Sequence, residues 1–441
     1  MDAALTPENV ELLHKQFSLD ATNRLVLNAV TQTSVDDLAL DRDVVVRTDH
    51  TVSHALDKWR ATNQKGSGRC WLFAGLNLLR VGAMQAMKLD NFEFSQNHLM
   101  FWDKLERANY FLEAVIETAD RDVDDRTVAH LLKDVANDGG QWNMFVALVQ
   151  KHGLVPKSVM PETQSSSSTG RMNEILRRVL RQGARDLRAT DGDITTLRQK
   201  KAEILTTVHR VLCIHLGTPP DRFEWQWTDR DRVFHRDGTM TPPEFAAKYV
   251  DVPLEEYVCL VHDPRPSSPV GRTFTVDYLG NVVGAPPVVY LNVDIGLMKD
   301  LAKQTIVDGE PVWFGCDVGK QFRHDLGIWD AALYDHASLY STSFDMTKAE
   351  RLILHESAMT HAMLFTGVDV ADGEARKWRV ENSWGDKDAD NGFYTMNDSW
   401  FDEFVFEIAV RKERLPSELQ AALDTEPIVL PAWDPMGALA R

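Results

Sequence analysis

The first half of the chain carries apolar positions at the spacing of helices. Between residues 57 and 155, Leu72 and Leu76 begin a stripe that steps by three or four residues. A second stripe follows Ser95, a residue type that caps helices by accepting a hydrogen bond from the first turn. Residues 171–250 show the same period. The pattern therefore predicts a mainly helical first half.

The period changes after about residue 255, where short β-branched or aromatic runs alternate with turn residues. They predict strands over residues 273–279, 288–293, 312–317, 363–370, 377–382 and 392–396. Helices first and strands later indicate an α+β fold with two packed lobes. The polar segment QSSSSTG at 164–170 predicts a solvated connector between helices.

The end of the chain combines prolines with apolar side chains. Residues 426–441 read EPIVLPAWDPMGALAR, and prolines at this density prevent a continuous helix and favour an extended path. A solvated tail is expected to be polar, yet this one carries Ile428, Trp433 and Leu439. Two interpretations stay open: a strap packed on the outside of the protein, or an arm docked in a groove.

Composition and charge narrow the function classes. The 441 residues include 48 basic and 66 acidic side chains, a formal net charge of −18 that argues against nucleic acid or anionic membrane as a partner. No apolar run approaches the roughly 18 residues of a membrane-spanning helix, and the start does not resemble a signal peptide. We therefore expect a cytoplasmic protein, in which a lone cysteine is either inert core or a working thiol.

One cysteine stands in a chemically distinctive setting. The segment QKGSGRCWLFA places Cys70 after two glycines that permit a tight turn, and at the start of a helical stripe. The N-terminus of a helix favours negative charge and lowers a thiol pKa, which produces the nucleophilic thiolate. Cys213, Cys259 and Cys316 stand in apolar or strand contexts and are expected to be buried and inert.

A thiolate nucleophile needs a base and a group that orients the base. His361 begins the predicted strand HAMLFTGV, and Asn382 ends the next one in VENSWG. If these two strands are antiparallel neighbours, the Asn382 amide oxygen can accept from one ring nitrogen and leave the other facing the sulfur. Trp384 is placed to shield that hydrogen bond from water. His336 is the rival base, but it has no comparable Asn-x-Trp partner.

No metal or cofactor is predicted. His355-Glu356 resembles the start of a zinc-protease motif, but position 359 is methionine where that motif requires a second histidine. The GSG run before the cysteine has neither the GxGxxG spacing nor the Gly-Lys-Ser/Thr ending of phosphate-binding loops.

These motifs together resemble a known family. QxxSGRCW around the thiol, THAM followed by LFTGV, KWRVENSWG and the ending EPIVLPAWDPMGALA are similar to bleomycin hydrolase and bacterial aminopeptidase C, which are papain-like cysteine peptidases. SQNHLMFWDKLE and NDGGQW also resemble that family, so the similarity runs from about residue 64 to the last residue.

The resemblance implies a role for each matching residue. Cys70 would be the nucleophile, His361 the base and acid, and Asn382 the residue that orients the imidazole. Gln64, six residues before the thiol, would donate a hydrogen bond to the oxyanion together with the Cys70 N–H.

The substrate site is also implied by the resemblance. Gly139 and Gly140 would lie beside the substrate backbone, with Trp384 as a further substrate-binding residue. The terminal segment would lie in the cleft, where its free carboxylate recognises the α-ammonium of the substrate. Because the sequence ends in Ala440-Arg441, either Arg441 or Ala440 supplies that carboxylate, and Arg441 either fills a subsite or is trimmed.

The implied fold is a helical lobe and a β-barrel lobe with the active site between them. The division we expect is an N-terminal hook or extension at 1–50, a helical lobe with the nucleophile at 51–170, a helical insertion at 171–254, a β-barrel lobe with His361 and Asn382 at 255–411, and a C-terminal arm at 412–441. The family implies a homohexamer with active sites that face an internal channel.

The expected activity is that of a cysteine aminopeptidase acting on peptides through a thioester, with bleomycin-type amide hydrolysis as a side activity. Two alternatives belong to other classes. One is a non-peptide amide hydrolase or acyl transferase that shares the thioester. The other is a non-catalytic channel that binds nucleic acid, against which the acidic charge and the complete Gln, Cys, His and Asn set argue.

Overall fold

The computed structural model describes residues 3–56 and 59–441. Its N-terminal segment consists of four helices: α1 (Pro7–Leu19), α2 (Ala21–Val30), α3 (Val35–Ala39) and α4 (Arg42–Arg47). Each begins after a side chain that accepts a hydrogen bond from its first turn, namely Thr6, Asp20, Ser34 and Asp41. No residue of α1 or α2 is buried, so these two helices lie outside the core of the chain.

The helical lobe contains the helix that begins at Cys70. Its helices are α5 (Cys70–Met87), α6 (Gln96–Glu117), α7 (Arg126–Lys133), α8 (Trp142–His152), α9 (Gln164–Ser167), α10 (Gly170–Arg188), α11 (Ile194–Leu216) and α12 (Pro242–Tyr249). Helix α5 is largely buried because it packs against α6, α8 and the sheet. The Ser95 side chain accepts from the His98 N–H at 3.0 Å, which confirms the predicted cap of α6.

Two predictions in this region are wrong. Segment 164–170 is not a solvated connector, because α9 begins there and the buried Ser166 hydroxyl donates to Glu162 at 2.7 Å. Residues 223–240, predicted to be helical, form an antiparallel hairpin of β2 (Phe223–Thr228) and β3 (Phe234–Met240). The sequence FEWQWT alternates aromatic and polar residues at the period of a strand, which is the signal that the helical interpretation passed over.

The second lobe is built on a twelve-stranded sheet. Its strands are β1 (His54–Ala55), β4 (Tyr257–Val261), β5 (Thr273–Val276), β6 (Tyr290–Asn292), β7 (Val312–Cys316), β8 (Phe322–Arg323), β9 (Ile328–Trp329), β10 (His361–Ala371), β11 (Glu374–Glu381), β12 (Phe393–Asn397), β13 (Val405–Arg411) and β14 (Ile428–Leu430). The order is β14-β5-β6-β4-β13-β7-β10-β11-β12-β9-β8, and β1 pairs with β10. Each of the six predicted runs contains a strand, so the α+β class is confirmed.

Further helices cover the sheet and its edges: α13 (Ile295–Val307), α14 (His336–Tyr340), α15 (Lys348–Ile353), α16 (Asp398–Phe404) and α17 (Ser417–Ala422). One hydrophobic core fills the helical lobe and reaches the sheet, and a second packs α13 and α16 against the sheet. The two lobes meet where α5 packs against β10. Among the described helices, none combines the length and apolar character needed to cross a membrane.

The tail follows an extended path, as its prolines predict. Strand β14 adds to the edge of the sheet in parallel with β5, and a 3₁₀ turn follows at Pro435–Gly437. Beyond that turn the chain enters the space between the lobes, where Ala440 is fully buried. Residues 438–441 are therefore an arm docked in a groove, whereas β14 is the part that resembles an outer strap.

Candidate active site

Cys70 is the first residue of α5, in the turn–helix setting that the sequence predicts. The preceding loop is held by its own side chains, since the Ser67 hydroxyl donates to the Gln64 carbonyl at 2.6 Å and the Arg69 Nε donates to Ser67 Oγ at 2.9 Å. The Arg69 guanidinium also binds both carboxylate oxygens of Glu162, at 3.0 and 2.7 Å. Arg69 therefore fixes the loop through this ion pair. Its positive charge is directed at Glu162.

His361 and Asn382 meet across two antiparallel neighbours. His361 is the first residue of β10, and Asn382 directly follows β11, the strand that pairs with β10. The His361 Nε2 lies 2.9 Å from the Asn382 Oδ1. The amide oxygen therefore accepts the Nε2–H proton, which leaves Nδ1 as the unprotonated nitrogen. The predicted juxtaposition of the imidazole and the amide is confirmed.

The two lobes bring the sulfur to the first residues of β10. The backbone N–H of Ala362, next to His361, donates to the Cys70 Sγ at 3.4 Å. Both Cys70 and His361 are buried. The Trp384 ring lies 5.3 Å from the imidazole, centroid to centroid, with the two ring planes tilted by 38°.

Gln64 is anchored within reach of the same site. Its Oε1 accepts from the Ser383 hydroxyl at 2.6 Å, and its Nε2 donates to the Ser67 carbonyl at 2.5 Å. A primary amide carries two N–H donors, so one remains for a further acceptor. Its backbone N–H donates to the Ser383 carbonyl at 2.8 Å, which ties the loop before Cys70 to the residue after Asn382.

Burial holds the thiol and the imidazole in their neutral forms. It raises the pKa of Cys70 to about 12, against opposing hydrogen bonds from the backbone N–H groups of Ala362, Trp71 and Cys70 itself. It lowers the pKa of His361 to about 4, against opposing hydrogen bonds with the Asn382 side chain and the Arg441 backbone. A thiolate–imidazolium pair is therefore disfavoured while the site is closed, and the predicted lowering of the Cys70 pKa is wrong for this state because desolvation outweighs the helix N-terminus.

The arm closes the site by binding as an extended strand. The Gly140 N–H donates to the Ala440 carbonyl at 3.0 Å, and the Arg441 N–H donates to the Thr360 carbonyl at 3.0 Å. The Gln141 Nε2 donates to the Ala438 carbonyl at 2.6 Å. Ala438, Ala440 and Arg441 are thus held through their own main-chain atoms, which does not depend on the identity of their side chains.

The glycines leave room for this approach. A Cβ on Gly68 would lie 2.9 Å from the Arg441 Cβ, and a Cβ on Gly139 would lie 3.1 Å from the same atom. A Cβ on Gly139 would also lie 2.7 Å from the Ala440 carbonyl oxygen. The side chain of Arg441 therefore leaves the main chain between two positions that only glycine can occupy without displacing it.

Asp138 is a structural element of the site that sequence reasoning missed. Its carboxylate accepts from the Gly68 N–H at 3.2 Å and pairs with Lys104 at 2.6 Å. It also accepts from Thr169 Oγ1 at 2.5 Å and Asn173 Nδ2 at 2.7 Å. Asp138 therefore holds the loop before Cys70 against the glycine pair Gly139 and Gly140. The signal available in the sequence was its position directly before these glycines.

The rival candidates lie elsewhere. His336 begins α14 and stacks on Tyr334, with Tyr340 and Phe344 packing nearby on the same segment. Cys259 and Cys316 are buried as expected, but Cys213 is only half-buried, so that expectation is wrong because its face of α11 is incompletely covered. Glu356 pairs with Lys320 at 2.8 Å, and residues 3–56 and 59–441 contain no cluster of side chains suited to a metal ion.

A cysteine, a histidine and an asparagine held where a helical lobe meets a sheet form the arrangement of papain-like cysteine peptidases. The model of the Peptidase C1-like family matches residues 4–437. The chain therefore belongs to that family, and the predicted resemblance is confirmed.

Individual relatives agree over most or all of the chain. The chain is 43% identical over 455 residues to bleomycin hydrolase of Homo sapiens, covering 100% of this chain and 99% of that one. It is 44% identical over 388 residues to aminopeptidase C of Listeria monocytogenes, covering 88% of each. The crystal structure of PepW from Lactobacillus rhamnosis HN001 matches it with a TM-score of 0.98 at 43% identity, covering 100% of both chains. The papain-like fold is thereby confirmed.

Proposed function

We propose that this chain is a cysteine aminopeptidase that removes single residues from the amino ends of peptides. The observation that carries the proposal is the docked arm. The arm fills the groove on one side of Cys70 and His361. A bound polypeptide therefore cannot extend beyond the catalytic pair on that side. The relatives named bleomycin hydrolase and aminopeptidase C support an aminopeptidase, with bleomycin-type amides as a side activity of the same site.

The proposed chemistry uses the residues at the α5–β10 contact. The Cys70 thiol passes its proton to the His361 Nδ1, and the sulfur attacks the first peptide carbonyl. The Cys70 N–H and the free Nε2–H of Gln64 stabilise the oxyanion. The imidazolium then gives its proton to the leaving amine as the C–N bond breaks, which leaves a thioester on the sulfur.

Hydrolysis of the thioester completes the cycle. His361 takes a proton from water, the resulting hydroxide attacks the thioester carbonyl, and the C–S bond breaks. The acid is released and the sulfur recovers its proton from the imidazolium. The hydrogen bond to Asn382 keeps the same ring nitrogen aimed at the reaction through both steps.

We further propose that Ala440, rather than Arg441, supplies the carboxylate that meets the substrate's α-ammonium. The Arg441 backbone lies close enough to the His361 imidazole to oppose the lowering of its pKa, so this residue occupies the place next to the catalytic pair that the first residue of a substrate needs. With Arg441 gone, that place is open and the arm ends one residue away. An ion pair there is stronger than in bulk water because the groove excludes solvent.

The experiment that tests the activity compares fluorogenic aminoacyl amides with and without N-acetylation, using wild type and Cys70→Ala. We expect turnover of the free amines only and none in the variant. Equal turnover of acetylated substrates would refute the exopeptidase assignment, and activity in Cys70→Ala would refute the thiol mechanism. Turnover of non-peptide amides alone would favour the amide hydrolase alternative.

We also propose peptides as the substrates, a cytoplasmic location and assembly as a homohexamer. The exposed apolar side chains of the N-terminal segment support assembly, since Leu5 before α1, Phe17 and Leu19 in α1, and Leu25 in α2 lie outside the core. The four free cysteines support a reducing compartment. Sedimentation of the full chain against a variant lacking residues 1–50 measures the assembly directly.

A further inference from the structure

Arg441 stands where the first residue of a substrate would lie, and its side chain shows where that residue's side chain would go. This inference rests on the proposed function. The Arg441 N–H donates to the Thr360 carbonyl, and its backbone lies beside the His361 imidazole, where it opposes the lowering of the His361 pKa. The Arg441 Cβ lies between Gly68 and Gly139. A peptide whose first carbonyl reaches the sulfur must send its own side chain through the same gap.

The gap leads to a carboxylate. The Arg441 Nη1 lies 3.6 Å from the Asp134 Oδ2. Asp134 directly follows α7 and is held in place by Asn137, whose Nδ2 donates to the same oxygen at 3.1 Å. Among the described residues, Asp134 forms an ion pair with Arg441 alone. Its charge is therefore available to a bound molecule once Arg441 is absent.

The surroundings give a basic side chain room to reach this carboxylate. Arg441 and Asp134 line a cavity of about 480 Å³, which also contains His130 and Asp277 in its wall. Arg107 lines it as well, but its guanidinium is engaged by Asp103 at 3.0 Å and by the Gly139 carbonyl at 2.8 Å.

The other basic groups in the cavity wall only partly offset the attraction of Asp134 for a positively charged side chain. Burial, with a smaller contribution from Lys133, lowers the pKa of His130, so this side chain is neutral at pH 7. Lys133 lines the cavity as the remaining basic neighbour, and it limits the size of any preference.

We propose that Asp134 is a specificity-determining residue that favours arginine or lysine as the first residue of the peptide. The Arg441 guanidinium is the stand-in for that side chain. Because both groups are partly exposed to solvent, the preference is modest, about fivefold, and is reduced by salt.

The test measures kcat/KM for arginyl, lysyl and leucyl fluorogenic amides at low ionic strength. We expect Asp134→Asn to lower the arginyl-to-leucyl and lysyl-to-leucyl ratios about fivefold, with leucyl turnover unchanged. Asp277→Asn is the matched control, because it removes an acidic group from the same cavity that does not contact the guanidinium. Raising the salt concentration to about 0.5 M should also lower both ratios in wild type, because salt screens the attraction between the two charges.

Each outcome decides the proposal. Unchanged ratios in Asp134→Asn, with leucyl turnover intact, would overturn the inference and leave the aminopeptidase assignment standing. An equal fall in Asp134→Asn and Asp277→Asn would also overturn it, because the preference would then come from the general negative potential. Failure of wild type to hydrolyse any of the three amides would refute the proposed function itself.

Discussion

The Glu381 carboxylate of β11 accepts a hydrogen bond from the Arg80 guanidinium of α5 at 2.6 Å, and both side chains are buried. The same carboxylate accepts from Asn77 Nδ2 at 2.9 Å and Trp59 Nε1 at 2.8 Å. Helix α5 begins with Cys70, and Glu381 is directly followed by Asn382. This buried cluster therefore fixes the position of the nucleophile's helix relative to the strand that carries the orienting amide.

Replacing Glu381 should destabilise the protein strongly. Glu381→Ala leaves the Arg80 charge buried without its partner, and we expect a loss of about 3–5 kcal/mol in the free energy of unfolding. Glu356→Gln, which breaks the exposed pair with Lys320, should cost less than about 1 kcal/mol. Urea unfolding of both variants measures the difference. Similar losses would show that the cluster is not what holds the lobes.

The two candidate bases are separated by a pair of matched substitutions. His361→Ala should lower kcat by a factor of about 10²–10⁴, because the acid and base of both steps is lost. His336→Ala should leave kcat unchanged, since that ring lies on α14 away from Cys70. Steady-state hydrolysis of a leucyl amide gives both values. A large effect of His336→Ala would contradict the assignment.

The oxyanion role of Gln64 predicts a loss in kcat with little change in KM. Gln64→Ala removes one donor, which commonly costs about 10²–10³ in rate. Gln85→Ala, an exposed glutamine on the same helix as Cys70, is the control. Because Gln64 also anchors Ser67 and Ser383, the unfolding midpoint is measured alongside. A normal kcat in a stable Gln64→Ala variant would eliminate this donor.

Removing Arg441 should change the ionisation of the catalytic pair. Burial raises the Cys70 pKa to about 12 and lowers the His361 pKa to about 4, so opening the site to water moves both back toward their ordinary values. The thiolate therefore forms at lower pH in a variant that ends at Ala440.

The rate of alkylation by iodoacetamide against pH measures this shift, in a Cys213→Ser background that removes the half-buried thiol. The midpoint should lie at lower pH in the shortened variant than in the full chain, with intact mass used to verify that Arg441 is present. Identical pH profiles would show that Arg441 does not control the ionisation of the Cys70 thiol.

The docked arm is expected to decide whether the enzyme cleaves at free amino ends or at internal peptide bonds. Deleting residues 437–441 should shift activity from free amino ends toward internal bonds, because the groove beyond Gly140 is then open. Arg441→Ala keeps the arm and serves as the control. Cleavage of an N-acetylated peptide, followed by mass spectrometry, measures the change. An unaltered requirement for a free amino end would refute the arm model.

Much of the site could be predicted because its signals are local. A cysteine after a glycine turn begins a helix, and the start of β10 and end of β11 coincide because antiparallel neighbours reverse direction. The hairpin over 223–240 was missed because its flanks have helical period and the alternation in FEWQWT is short. Strand β13 was missed as well, although its pattern VFEIAVR is rich in β-branched residues.

What the sequence could not supply is the long-range pairing of buried charges. Glu381 ends a strand that mixes apolar and charged residues, and its partners Asn77 and Arg80 come some 300 residues earlier in the chain. Asp138 likewise depends on Lys104 of α6 and on Thr169 and Asn173 at the start of α10, both distant from it in the chain. No local pattern marks such residues, because a charged side chain is favourable there only when the complete set of partners is in place.

The parallel pairing of β14 with β5 has a consequence for the length of the product. Since β14 and the 3₁₀ turn at Pro435–Gly437 are held against the sheet, the point that the end of the chain reaches is set by the number of residues in the extended segment 438–441. Each residue of an extended segment lengthens the path by about 3.3 Å. The length of the arm therefore sets the size of the released product. A variant that ends at Leu439, one residue shorter than one that ends at Ala440, should release dipeptides where the longer chain releases amino acids.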